Sequence, residues 1–287
     1  MPPQINFIVM VKFDVYKPAA HLISYINSYT FVKGRVETKK IRPLPNGSLD
    51  MIFYFSAVPE VNDISNKRKF KLDSFIGGTL VNPMVIIDVD NLVLDLLAVS
   101  FSYLGFIKLF GIPQINFRNT FLPLEYLGGK EIKVFIEKLN ETKPDKEKVK
   151  ILDTYFSKRY INSIADIPAS VKESVYKISL GRGNVRVQQL IEDTHLSERA
   201  FERNFKYYIG LTCKEFINTI RFSCISNSLS SVGYERNWYD LVEEFGYYDQ
   251  SHFIHDLKKY TGMSPQELLN KYKRYQVSDR LYLSQDR

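Results

Sequence analysis

Leu196-Ser197-Glu198-Arg199-Ala200-Phe201-Glu202-Arg203-Asn204-Phe205-Lys206 returns in altered form 52 residues later, as Tyr248-Asp249-Gln250-Ser251-His252-Phe253-Ile254-His255-Asp256-Leu257-Lys258. Self-similarity at a fixed offset is the mark of a duplicated unit. Phe201 falls on Phe253, Lys206 on Lys258, Tyr208 on Tyr260 and Gly210 on Gly262. Thr212 falls on Ser264, Glu215 on Glu267, and Phe205 and Phe216 each fall on a leucine, Leu257 and Leu268. Ser197 aligns with Asp249, and both residue types cap helix N-termini by accepting from the next free backbone amides. Upstream, Leu190-Ile191 corresponds to Leu241-Val242 at an offset of 51, so the second copy holds one extra residue in its turn.

Each copy reads as a short apolar helix, a turn, a capped second helix and a terminating glycine. In the first copy Val187, Leu190 and Ile191 give an apolar face at helical spacing, His195-Leu196 form the turn, and the pattern predicts a helix over 198–209 stopped by Gly210. Phe201 and Phe205 point inward at i, i+4, which leaves Arg199, Glu202 and Arg203 on the opposite face. In the second copy Trp238, Leu241, Val242 and Phe245 line the supporting helix, Gly246 permits the turn, and Asp249 caps a helix running to about Tyr260. Its inward pair is Phe253 and Leu257. Between the copies, Phe216, Ile217, Ile220, Cys224, Ile225 and Leu229 follow helical spacing without Pro or Gly, predicting one continuous helix over 213–229. Two short helices joined by a tight turn, the second with a polar N-terminal end, fit the ~12 Å major groove of B-DNA.

The stretch 196–206, then Gly210-Leu211-Thr212-Cys213-Lys214-Glu215-Phe216 and Arg221-Phe222, resembles the first helix-turn-helix and central helix of AraC-type transcriptional regulators. Phe245-Gly246-Tyr247-Tyr248-Asp249-Gln250-Ser251-His252-Phe253 through Gly262-Met263-Ser264-Pro265 resembles the second unit of that family. The chain departs from the family pattern at His255 and Leu257, where a basic residue and Phe are usual, and at Cys213, where Pro often follows Thr or Ser. The resemblance implies an AraC-type DNA-binding domain over 171–275, with helix-turn-helix units at about 186–210 and 237–261. Arginine can grip guanine bidentately and glutamate can accept from cytosine. The candidate DNA contacts are Ser197, Arg199, Glu202, Arg203 and Lys206 in one unit and Gln250, Ser251, His252, His255 and Lys258 in the other.

The front of the chain has a different texture. Short alternating runs at Ile5 to Val11, Asp50 to Phe55 and Val85 to Leu96 are separated by Pro45-Asn46-Gly47 and Gly77-Gly78, the signature of a mostly β domain. From about Leu122 to Phe156 the pattern turns helical. The expected architecture is therefore α+β: a domain over 1–165, β-rich to about 120 and helical after, a connector around Pro168, then the all-α domain. Ile41-Arg42-Pro43-Leu44-Pro45-Asn46-Gly47-Ser48-Leu49-Asp50-Met51-Ile52-Phe53 and the stretch from Val99 through Gly111 to Asn119 resemble an N-terminal module often fused to AraC-type domains. That likeness implies a regulatory or sensing role for 1–165.

Composition narrows the alternatives. With 287 residues and 45% hydrophobic residues the chain is globular rather than disordered. Its net charge of +7 is weak evidence for a polyanionic partner, because about 17 Lys and Arg face about 15 Asp and Glu from Val171 onward. Two cysteines, Cys213 and Cys224, make no disulfide framework, and Met1-Pro2-Pro3-Gln4 opens no secretion signal, so a cytoplasmic setting is expected. Leu92 to Ile112 contains Asp95 and Lys108 and is read as core, not as a membrane span. The four histidines, His21, His195, His252 and His255, form no catalytic constellation, and no Gly-rich phosphate loop or HExxH motif is present. Catalysis, cofactors and a metal are therefore not expected; His252 and His255 have ligand spacing but no third ligand. The expected partners are double-stranded promoter DNA, RNA polymerase, a small-molecule effector and a second copy of the chain. The competing reading is a helical protein–protein interaction module that does not bind DNA.

Overall fold

The computed structural model describes residues 10–35, 40–64, 66–79, 85–90, 92–231, 242–247, 249–267 and 282–284. Of the residues singled out above, Met1, Pro2, Pro3, Gln4, Ile5, Trp238, Leu241, Tyr248 and Leu268 lie outside them.

The front of the chain forms two antiparallel sheets. In the larger, β1 (Met10–Tyr16), β2 (Ile26–Arg35), β4 (Asp50–Tyr54), β7 (Ser74–Gly77), β9 (Val93–Phe101) and β10 (Phe121–Pro123) stand in the order β1-β2-β9-β4-β7-β10. The smaller holds β3 (Lys40–Pro43), β5 (Glu60–Asp63), β6 (Arg68–Phe70), β8 (Val85–Asp88) and a strand from the far end of the chain, β11 (Tyr282–Ser284), in the order β11-β3-β8-β5-β6. Period-2 alternation divides the large sheet's side chains between two cores. Leu97, Val99 and Phe101 of β9, with Met51 and Phe53 of β4 and Tyr29 and Phe31 of β2, face a layer of helices. Their neighbours Leu94, Leu96, Ala98, Ile52 and Phe75 face the smaller sheet.

The helical layer comprises α1 (Gly105–Phe110), α2 (Gly129–Glu141) and α3 (Asp145–Ile161). Phe135 of α2 stacks on Tyr155 of α3 at 3.9 Å between ring centroids, and Phe156 is wholly buried against Phe101. The helical turn in the pattern after Leu122 is thus a pair of helices covering the sheet.

Between residues 169 and 261 the described elements are helices: α4 (Ala169–Leu180), α5 (Val187–Thr194), α6 (Glu198–Ile209), α7 (Cys213–Ser231) and α8 (Gln250–Thr261). Two cores hold it together, one around Phe201, Phe205, Phe216 and Ile220, the other around Phe222, Ile225, Phe245, Phe253, Leu257 and Tyr260. The sequence reading contains neither α4 nor the return of the chain to the front domain at β11. α4 contributes Val171, Val175 and Ile178 to the first of these cores.

The front domain reaches into both cores. Ile107 of α1 joins the first, beside Tyr103, whose ring meets Phe216 edge-on at 4.9 Å. Leu44, from the loop between β3 and β4, joins the second. No described helix is long and apolar enough to cross a membrane.

Candidate nucleic-acid interface

The first unit is built by local rules. α5 ends at His195, which takes a left-handed conformation with φ 54° and turns the chain. Ser197 then caps α6, its Oγ accepting from the Ala200 amide at 3.4 Å, and Gly210 closes the helix in a left-handed conformation. Phe201 and Phe205 lock α6 inward; their rings are 5.7 Å apart, and Phe205 lies 5.7 Å from Phe216 of α7. The outward face carries Arg199, Arg203 and Lys206, all exposed, and no acidic side chain among the described residues pairs with them. Ser197 is exposed too, with its hydroxyl already used by the cap.

Glu202 departs from the expected exposed face. It is half-buried, and its Oε2 is closed off from solvent without a hydrogen-bond partner. Cys213 at the start of α7 lies close by: burial, with the Glu202 carboxylate adding to it, pushes that thiol up to about 12. On a helix so short, the residue beside the inward Phe201 sits on the boundary of the apolar stripe, and α7 covers it.

The second unit repeats the scheme. Residues 242–244 are helical, the chain turns at Gly246, and the Asp249 carboxylate accepts from the His252 amide at 2.8 Å to cap α8. Phe253, Leu257 and Tyr260 are buried, while Gln250, Ser251, His252, His255 and Lys258 are exposed. His252 and His255 each stand 3.8 Å from the buried Asp256 carboxylate. The duplication extends past each reading helix. Thr212 and Glu215 exchange side-chain-to-amide bonds at 2.9 and 3.1 Å, and Ser264 and Glu267 do the same at 2.7 and 3.3 Å. The aligned Thr/Ser and Glu are thus two reciprocal capping boxes.

A brace that the sequence reading missed ties the two units together. In the loop after α4, Gly183 has φ +76°, and a Cβ there would come within 2.7 Å of the Ile217 carbonyl, so only glycine lets the loop lie against α7. The buried Arg221 donates to the Gly183 carbonyl at 2.8 Å and sets its guanidinium over the Tyr247 ring at 5.0 Å. Asn184 lies over the turn at Gly246, and Arg182 pairs with Glu244 at 3.2 Å. One loop therefore touches the central helix and the turn of the second unit.

Residues 190–271 match the family model described as a helix-turn-helix domain. By this match the C-terminal part of the chain is similar to helix-turn-helix domains of the AraC type. The transcriptional regulatory protein HptR of Staphylococcus aureus is 27% identical over 123 residues, 43% of this chain and 44% of that protein. An uncharacterized response regulatory protein of Staphylococcus epidermidis, SERP2406, is 29% identical over 108 residues, 38% of each chain. This chain thus spans under half the length of the curated relatives it matches. A crystal structure of ToxT from Vibrio cholerae O395, bound to (E)-4-(8-methylnaphthalen-1-yl)but-3-enoic acid, covers 91% of this chain and 98% of its own, with a TM-score of 0.50 at 15% identity. At that identity the likeness is one of fold. It extends over the β-rich domain as well as the helical one.

Proposed function

We propose that the chain is a sequence-specific transcriptional regulator, reading adjacent major grooves of double-stranded DNA with α6 and α8. The observation that carries this reading is the row Arg199, Arg203 and Lys206 on the outward face of a capped, rigidly backed helix, with no acidic partner among the described residues. Two other cations of the domain are tied down in ion pairs, Lys177 with Asp193 and Arg182 with Glu244. An exposed cation row without partners is what phosphate and guanine recognition requires. Gln250, Ser251, His255 and Lys258 serve the second groove, and the half-buried Glu202 holds a place at the rim of the first.

The β-rich domain regulates this activity through its contacts with both units. The similar ToxT structure holds a small carboxylic acid, and a small-molecule effector is proposed for this chain as well. RNA polymerase, a second copy of the chain and a cytoplasmic setting complete the proposal, and catalysis has no part in it. A gel shift on pooled genomic DNA at several salt concentrations tests the core claim. Retarded DNA whose affinity falls steeply with salt is expected. Absence of any shift would favour a module that binds other proteins.

A further inference from the structure

β1 is the end strand of the large sheet, and among the described residues only β2 pairs with it, in register from Met10↔Arg35 to Tyr16↔Tyr29. Among the described residues no strand pairs with its other edge, whose backbone donors and acceptors are a template for another strand. Phe13 is 39% and Val15 54% exposed, on the face they share with the half-buried Val11. On the opposite face the exposed Lys12 pairs with the half-buried Asp14 at 2.7 Å.

The order Val11-Lys12-Phe13-Asp14-Val15 is self-complementary about its centre. Laid antiparallel on a second copy with a two-fold axis through Phe13, it sets Val11 opposite Val15, Lys12 opposite Asp14 and Phe13 opposite Phe13. Directly opposed residues in such a pair share a face, with Cβ atoms about 4.5–5.5 Å apart. The apolar residues therefore meet on one face and an alternating four-charge cluster forms on the other. A centre at Lys12 or at Asp14 would oppose like charges, and a shift by one residue would set Lys12 against Phe13 and send matched side chains to opposite faces. Only one register satisfies both faces. We propose that this strand is a homodimer interface, joining the large sheets of two copies into one continuous sheet through an isologous β1–β1 contact.

The test uses the full chain and reads its mass by sedimentation equilibrium, with circular dichroism melts run alongside. The wild type is expected to dimerise. K12D and D14K are each expected to raise the dimer dissociation constant at least about tenfold, since either reversal creates two symmetry-related repulsive pairs. The double swap K12D/D14K restores the pairing and is expected to return near the wild-type value. As an independent readout, F13C places two thiols on the axis and is expected to cross-link under mild oxidation. I23C, 54% exposed but away from β1, is not. A monomeric wild type overturns the proposal. So does a dimer indifferent to either single reversal, a double swap that stays monomeric with a wild-type melt, or F13C cross-linking no better than I23C.

Discussion

Arg203 sits one turn beyond Arg199 on α6, near the middle of the helix. If it grips a base edge, Arg203→Ala is expected to weaken binding to the specific site by about 1–3 kcal/mol and to relax preference at one base pair, leaving random DNA nearly unaffected. Equal losses on specific and random DNA in a competition titration would instead assign it to a phosphate. At the same scale, Cys213 is buried and its thiol pushed up to about 12. Only thiolates alkylate at useful rates, so the folded protein is expected to leave Cys213 unmodified by iodoacetamide at pH 8, as read by peptide mass. Helical periodicity sufficed to place Arg199 and Arg203 outward and Phe201 and Phe205 inward. It misplaced Glu202, because what lies over a boundary residue is decided by the next helix, here at Cys213, and not by its own.

The helices of the repeat were legible because each is specified by its own residues: a capping oxygen at Ser197 and Asp249, a glycine at 210 and 262, an apolar pair between. α4 lies upstream of the residues that match between the two copies, so self-similarity did not reveal it. The brace at Gly183 and Asn184 was invisible for another reason: it joins residues some 60 positions apart, and no local pattern records such a contact. α7 is one helix of 19 residues, about 28 Å long at 1.5 Å per residue. With the brace holding the second unit's turn, the two reading helices are expected to act as a rigid pair spanning successive grooves ~34 Å apart. Inserting about 5 base pairs between the half-sites, roughly half a turn, is expected to reduce affinity to that of a single unit and to lower the salt dependence. Gly183→Ala, which strains the backbone by about 1–3 kcal/mol, is expected to soften the penalty of that insertion. If fluorescence titrations give the same affinity for the native and lengthened sites, the units are flexibly joined.

At the scale of the whole molecule, Arg118 ties the front domain to α7 through a bidentate pair with Glu215, at 2.7 Å for each bond. The same guanidinium reaches the Gly210 carbonyl at the end of α6. Hydrogen bonds from Arg118 hold the Glu215 carboxyl down at about 2 from its ordinary 4.5. A depressed carboxylate contributes stability that is present above pH 4.5 and lost as pH falls toward 2. Both groups are partly exposed, so the worth of the pair is about 1 kcal/mol. Glu215→Gln keeps a capping side chain on α7 and removes the charge. Its melting temperature is expected to lie below the wild type at pH 7 and to converge with it near pH 2.5; a constant gap would mean the charge contributes nothing. The sequence announced two domains of different texture but not how they fit together. Arg118 and Leu44 belong to loops, where no periodicity marks a residue as inward.

Leu44 is 5% exposed and is part of the core that holds Phe222, Phe245 and Tyr260 of the second reading unit. That unit is consequently not a closed folding body: its core is complete only while the β-rich domain is folded and holds the loop in place. Losing the front domain withdraws a leucine from beneath α8, a deletion that costs about 2–5 kcal/mol in comparable cores. The molecule is therefore expected to absorb heat in one endotherm in scanning calorimetry, although it is built from two domains. Leu44→Ala should split the trace in two, with the earlier peak belonging to the second reading unit.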